Sequence, residues 1–208
     1  MTRMWMVRGD GGSLYDAFRG GNVAAIGWNS LAQQAISGIS RKQLIALYQA
    51  DEPQARPGTA ISGASQVWRF VNEIQNGDWI ITYSPANRLY QVGKVTGASE
   101  HHPELADQGM SLTRAVQWQP REVSRDSLST STKNSLGSTL TVFELPPSAA
   151  EEVLATVKGN PSPRVDEETA EAIGDPLADI ELQALERIKD RVNELDWDDM
   201  QQIGRAHV

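Results

Sequence analysis

The order of hydrophobic periods predicts an α+β fold, a curved antiparallel sheet or small β-barrel with flanking helices. Three observations carry this expectation. Two early segments read as strands, two segments of helical spacing follow, and a meander of strands then runs to a further helix. A doubly wound parallel sheet would need strands and helices in strict alternation, and the order here does not alternate.

The elements follow in turn. Residues 3–8 (RMWMVR) alternate and read as the first strand. Ser13 to Phe18 gives one helical turn before Gly20 and Gly21. Asn22 to Trp28 reads as a second, buried strand in which Gly27 permits close backbone approach. Ser40 with Gln43 makes a capping-box pattern that opens a helix carrying Leu44, Ile45, Leu47 and Tyr48. The stretch from Asp51 to Thr59, with Pro53, Pro57 and Gly58, reads as a loop. A helix from about Ala60 to Ile74 then places Ala64, Val67, Trp68, Val71 and Ile74 on one face.

The clearest strand signal comes next. WIITYS (79–84) and RLYQVGKVTG (88–97) flank the turn Pro85-Ala86-Asn87 and predict a hairpin. LTRAVQW (112–118) alternates as another strand, and LTVFEL (140–145) is the last of this domain. Ser148 with Glu151 predicts a second capping box, opening a helix to about Lys158. Gly159 to Asp175 is rich in proline and charge and reads as a linker, followed by a helix over Ile180 to Leu195. The expected organisation is a domain over 1–146, a helix and acidic linker over 147–179, and a last segment over 180–202.

Composition narrows the function. Apolar residues at 39% and charged residues at 22% allow an ordinary globular core. No run of eighteen apolar residues exists, and the short apolar start before Arg8 does not read as a signal peptide. A cytoplasmic protein without a membrane partner is expected. The chain has no cysteine, which excludes disulfides, thiolate metal sites and cysteine nucleophiles. Its net charge of −8 is unevenly spread: residues 1–146 carry 13 basic against 12 acidic groups, and residues 147–208 carry 6 against 15. A nearly neutral domain can bind nucleic acid through a local basic face, so total charge decides nothing here.

Several runs resemble a known family. WMVR (5–8), VAAIGWN (23–29), FVNEIQNGDWIITY (70–83) and LYQVGKVTG (89–97) look like a PUA-like specificity domain, similar to the EVE, YTH and SRA-type readers of modified bases. RAVQW (114–118), SRDSL (124–128), NSLGSTLTVF (134–143) and WDDMQ (197–201) point to the N-terminal half of an Mrr-type, modification-dependent restriction endonuclease. The resemblance implies a PUA-like sheet, modified double-stranded DNA as partner, and a role in phage defence. It places the start of a nuclease over 180–202, with that domain's divalent metal, such as Mg, and any homodimerisation lying in a part not present. The segment is expected to be non-catalytic and to need no cofactor itself. Ile203 to Val208 (IGRAHV) matches what sequencing-adaptor DNA encodes, so those six residues read as an artefact.

A base reader needs aromatic faces for stacking and a few polar groups for the base edge. Five of the six tryptophans lie within the first 118 residues. Trp28 with Asn29, at a strand end after Gly27, is the first candidate for the pocket. Tyr83 and Ser84, closing the WIITYS strand, are the second. Trp5, Trp68, Trp79 and Trp118 lie where packing alone explains them. Phosphate contacts would come from Arg8, Arg88, Arg114, Arg125 and Lys133, which fix register without reading sequence. Lys94 and Arg121 are also available, and Ser124 to Ser138 reads either as a DNA-touching loop or as a plain surface loop.

Catalytic patterns are weak. His101 and His102 before Glu104 and Asp107 sit in an expected loop and point different ways, which disfavours a metal site. Gly9-Asp10-Gly11-Gly12 lacks the strand–GxxxxGK[ST]–helix setting of a phosphate loop and reads as a turn. No catalytic or metal-binding residue is assigned. The alternatives of another class are a PUA-like RNA-binding domain and a regulatory domain for a small ligand.

Overall fold

Two apolar clusters on opposite faces of one sheet account for the strand sequences in residues 3–159, the span described by the computed structural model. In β1 (Met4–Val7), Trp5 and Val7 belong to one cluster, and Met4 and Met6 to the other. That is the period of two that a strand imposes. All four residues are buried, because both faces are covered. In β3 (Trp79–Ser84), Ile80 joins the first cluster and Ile81 the second.

The sheet has seven strands in a curved, unclosed arrangement. Its path runs through β2 (Val23–Ile26), β5 (Leu112–Trp118), β4 (Leu89–His101), β3, β1 and β7 (Val142–Glu144), with β6 (Val123–Ser124) paired to β4. The pairs are antiparallel except β1 with β3, which run parallel in the register Met4 to Trp79. That exception to the expected antiparallel sheet has a topological cause. Three helices lie between the second strand and β3, giving the chain the long crossover that a parallel pair needs. β4 spans 13 residues, and its register against β5 shifts between Val95 and Ser99. A bulge of this kind bends a strand and adds twist, which curves the sheet.

The first cluster is roofed by helices α1 (Tyr15–Gly21), α2 (Asn29–Ala32), α3 (Arg41–Asp51) and α4 (Pro57–Trp68). The Ser40 capping box forms as expected, with the Ser40 hydroxyl accepting from the Gln43 amide. α4 begins inside the segment expected to be loop, because Pro57 occupies its first turn, where a missing N–H is harmless. The expected single helix to Ile74 ends instead in a π-helical turn over Arg69–Glu73.

The second cluster is closed by α5 (Thr130–Ser135) and α6 (Pro147–Val157). α6 starts from Pro146 rather than from the expected Ser148 capping box. The reason is local: a residue before proline is driven to extended backbone, and Pro147 suits the first helical position. The serine-rich stretch expected to be a loop is largely ordered, holding β6, a 3-10 turn at Arg125–Ser127 and α5. Glu152 on α6 fastens it, accepting from the Ser129 backbone N–H at 2.6 Å, the Ser129 hydroxyl at 2.7 Å and the Thr132 hydroxyl.

Burial alone would raise the Glu152 pKa, yet those donors together hold it below the usual carboxylate value of 4.5. A depressed folded-state pKa stabilises the fold above the unfolded value, and that stabilisation fades as pH falls through the folded one. Glu152→Gln should therefore cost about 1 kcal/mol at neutral pH, a value kept small by partial exposure. Urea melts of both proteins between about pH 6 and pH 3 should show the difference shrinking on acidification. A difference independent of pH would contradict this role.

Among the described residues, no helix is long and apolar enough to cross a membrane. The expected linker after Gly159, the helix over 180–195, and the segments 180–202 and 203–208 lie outside the described residues.

Candidate nucleic-acid interface

The β2–α2 corner turns on Trp28. Its backbone is left-handed, with φ 55° and ψ 53°. Such a conformation costs a non-glycine residue on the order of 1–2 kcal/mol and is an outlier for a bulky one. Trp28 occupies the N-cap position of α2, where its carbonyl accepts the N–H groups of Leu31 at 2.9 Å and Ala32 at 3.0 Å. The ring is half-buried and packs against the first cluster.

Opposite the ring lies Gly63 of α4. A Cβ there would stand 3.1 Å from the Trp28 Nε1 and 2.7 Å from Cε2 of Tyr48. The two aromatic rings therefore share the space that Gly63 leaves open. Burial, and then the Glu52 carboxylate, raises the Tyr48 pKa, so its hydroxyl stays protonated.

Hydrogen bonding separates Trp28 from most of the other tryptophans. The indole N–H of Trp5 donates to Asp78 at 3.0 Å, that of Trp68 to the Ile39 carbonyl at 3.0 Å, and that of Trp118 to the Phe18 carbonyl at 2.9 Å. These three are fastened into the fold. Trp79 lies on the second face, where Lys94 sits 5.1 Å from its ring centre. Among the described residues, none accepts from the Trp28 indole.

Asn29 is exposed, and its amide secures the neighbouring loop. It donates to the Ala106 carbonyl at 3.2 Å and accepts from the buried Ser111 hydroxyl. That loop carries the 3-10 helix Pro103–Gln108, ended by Gly109 in left-handed conformation. Gly27 lies against Gly109, so two backbones meet directly beneath the corner. The turn after β1 packs on the β3–β4 hairpin. Gly12, at φ 107°, packs so closely on Pro85 and the Tyr83 carbonyl that a Cβ would come within 2.6 Å of both. Gly9 to Gly12, expected to be a turn, forms a 3-10 turn with Asp10 and Gly11 in left-handed conformation.

Tyr83 and Ser84 point to opposite faces of the sheet, and Tyr83 is on the face away from Trp28. The Tyr83 ring lies with the second cluster, stacked on Tyr90 at 4.6 Å between centres. Ser84 is buried. By strand alternation it shares the first face with Thr82. Thr82 and its cross-strand neighbour Gln91 are each 1% exposed. Their side-chain oxygens have no partner among the described residues. This buried polar spot left no signal in the sequence, where both positions read as strand interior.

The five cations have different situations. Arg114 is 4% exposed and donates to the carbonyls of Phe70 at 2.7 Å, Val71 at 2.9 Å and Gly97 at 3.1 Å. Desolvation lowers its pKa to about 10. It faces the interior and so leaves the set of expected phosphate contacts. Arg8 is half-buried and donates to the carbonyls of Ser138 and Leu140. Arg88 is exposed and paired with Asp126. Arg125 donates to the Tyr90 hydroxyl and to the Lys133 carbonyl at 3.3 Å. Arg88, Arg125 and Lys133 all act on the Asp126 carboxylate, so the fold gathers these three.

His101 lies at the end of β4 and not in the expected loop, because the strand runs four residues beyond Gly97. His102 bonds Glu104 at 2.8 Å. No group of three or more metal-binding side chains occurs among the described residues.

A family model described as a domain of unknown function, DUF8426, matches residues 5–146. The chain belongs to the DUF8426 family. The matched span contains the Trp28 corner, Gly63, the Ala106–Ser111 loop and all five cations. No curated protein matches the chain. Among solved structures, the DUF8426 chain is similar to the YTH domain of Zygosaccharomyces rouxii MRB1, determined in complex with N6-methyladenosine RNA. The identity is 12% and the TM-score 0.41, over 75% of this chain and 86% of that one.

Proposed function

We propose that this DUF8426 domain binds nucleic acid and seats an unstacked, modified base at the Trp28 corner. It would act as the PUA-like specificity module of an Mrr-type, modification-dependent restriction system. One observation carries the proposal. Trp28 holds a strained left-handed backbone while its indole N–H is unclaimed and its ring stands with Tyr48 over a glycine. Strain of this kind persists where surrounding structure enforces it, and it concentrates at functional sites. A half-buried pair of aromatic rings offers stacking worth about 1–3 kcal/mol per base. Asn29, whose amide is engaged with the Ala106–Ser111 loop, sets the shape of the pocket wall.

Arg8, Arg88, Arg125 and Lys133 are the phosphate contacts in this proposal. Three to four such contacts predict a slope of about −3 in log affinity against log salt. Cleavage would come from an Mrr-type nuclease with a divalent metal such as Mg, acting as a homodimer. The partner is modified double-stranded DNA.

The test uses the full chain at fixed salt. Duplexes would be unmodified or carry N6-methyladenine, 5-methylcytosine or 5-hydroxymethylcytosine, alongside single-stranded RNA with N6-methyladenosine. The expected result is a preference of tenfold or more for one modified duplex, lost in Trp28→Ala. Equal weak binding to every duplex would defeat the proposal, and preference for the RNA would replace DNA restriction by RNA binding.

A further inference from the structure

Among the described residues, four other than glycine hold a left-handed backbone: Asp10, Asn22, Trp28 and Arg88. Aspartate and asparagine visit this conformation readily, because their short polar side chains bond locally. Trp28 and Arg88 have no such relief. Arg88, at φ 55°, ends the turn 85–88 between β3 and β4. Asn87, the residue type suited to that backbone, lies one position earlier. Strain placed on an arginine instead points to a use for its guanidinium.

That guanidinium holds a carboxylate. Arg88 donates to both oxygens of Asp126, through Nε at 3.4 Å and through Nη2. The two side chains are 56% and 65% exposed, and a pair so exposed adds little stability. The backbone nevertheless sets it in place. The Arg125 N–H donates to the Arg88 carbonyl at 2.9 Å, which brings the 3-10 turn and its Asp126 against the hairpin turn. Arg125 is fixed beside the pair. It donates to the Tyr90 hydroxyl and to the Lys133 carbonyl at 3.3 Å, and its guanidinium stands 5.9 Å from the centre of the half-buried Tyr83 ring. Arg88, Arg125 and Lys133 all draw the Asp126 carboxylate pKa down. Lys133 also acts on Glu152, whose oxygens are taken by Ser129 and Thr132.

We propose that Arg88 and Arg125 form a seat for one phosphodiester group of nucleic acid, which Asp126 fills in the free protein and leaves when nucleic acid binds. A guanidinium that grips a carboxylate through two N–H groups grips a phosphate in the same way. The exchange therefore takes no hydrogen bond from Arg88, and the exposed Asp126 is rehydrated as it leaves. A lone phosphate must displace Asp126 from solution. A phosphate on a strand already held at other points does so at a high effective concentration. Asp126 thus favours a polyanion over free phosphate. The inference deepens the phosphate contacts proposed above and does not depend on the base seat at Trp28.

The experiment compares full-chain wild type, Asp126→Asn, Arg88→Gly, the double variant and Asp16→Asn. Probes are an unmodified duplex, a modified duplex and inorganic phosphate at low fixed salt, with a melting curve for every protein. Asp16 is an exposed carboxylate on α1 and controls for the loss of one negative charge. Asp126→Asn should bind both duplexes about three- to fivefold tighter, the range that an exposed competing pair allows. Asp16→Asn should stay within about 1.5-fold of wild type, as a distant exposed charge is screened. Arg88→Gly should bind about threefold more weakly through the lost phosphate contact. It should nonetheless melt no lower than wild type, since glycine takes the left-handed backbone without strain. In the Arg88→Gly background, Asp126→Asn should give no gain. Duplex binding by Asp126→Asn that is unchanged or weaker overturns the seat. So does an equal gain in the Arg88→Gly background or from Asp16→Asn, or a lower melting temperature for Arg88→Gly. A gain for inorganic phosphate alone overturns the assignment to nucleic acid. Equal binding of both duplexes with the Asp126→Asn gain intact defeats the base-reading proposal and leaves the seat standing.

Discussion

Arg114→Met should lower stability by about 3–5 kcal/mol, because it leaves three carbonyls without their donor at about 1–3 kcal/mol each. At this chain size that is a fall of roughly 10 °C in melting temperature. The guanidinium bridges β5 to the π-helical turn after α4, taking the carbonyls of Phe70 and Val71 there and that of Gly97 on β4. A π-turn disturbs the regular helical ladder and leaves carbonyls that need outside donors. Methionine fills much of the volume but donates nothing, and each stranded carbonyl costs about 1–3 kcal/mol, not additively. Lysine keeps the charge but lacks the planar fork, so Arg114→Lys should recover less than half of the loss. A phosphate-contacting arginine would behave in the opposite way, leaving melting unchanged and weakening DNA binding. Thermal melts beside salt-dependent binding separate the two, and a shift under about 2 °C would refute the structural role.

Arg114 also shows where the sequence was readable and where it was not. LTRAVQW announced a strand through its apolar alternation, and the strand is present over Leu112–Trp118. The alternation placed Arg114 on the same side as Leu112 and Val116, yet its charge read as surface. Nothing local reveals that a turn over 40 residues earlier supplies two acceptors and the neighbouring strand a third. The hairpin over Trp79–Ser84 and Leu89–His101 was legible because its turn and its period are encoded side by side. The parallel pairing of β1 with β3 was not, since it joins segments 75 residues apart in register. The start of α6 was misplaced by one turn chemistry overriding another, Pro147 over Ser148.

For the candidate site, the sequence signalled Trp28 through Gly27 before it and Asn29 after it. It also offered Tyr83 as a partner, whereas the fold puts Tyr83 with the second cluster and brings Tyr48 beside Trp28 instead. Tyr48 was visible only as one more residue on a helical face. Gly63 lay unremarked in a helix, although a glycine at a helix interior costs about 1 kcal/mol relative to alanine. That cost was the available signal: a residue unfavourable in its own element is kept for what it admits from another.

The same reasoning yields the prediction that most sharply divides folding from function. Gly63→Ala should leave stability within about 1 kcal/mol of wild type, because helix propensity in α4 offsets the crowding. Binding of the preferred modified duplex should nonetheless fall about tenfold, the equivalent of ~1.4 kcal/mol. A Cβ at 2.7 Å from the Tyr48 ring and 3.1 Å from the Trp28 Nε1 is too close to be accommodated without displacement. Both contacts are to side chains, so the rings can turn aside while the backbones of α3 and α4 stay in place. What is lost is then the shared seat and not the fold. Urea melts and duplex binding on the same preparation decide it. If affinity survives Gly63→Ala while Trp28→Ala abolishes it, Trp28 acts without Tyr48, and the pocket must open toward Ser111 and the Pro103–Gln108 turn. If stability collapses instead, the glycine serves packing between α3 and α4, and the strained Trp28 backbone needs an explanation within the core.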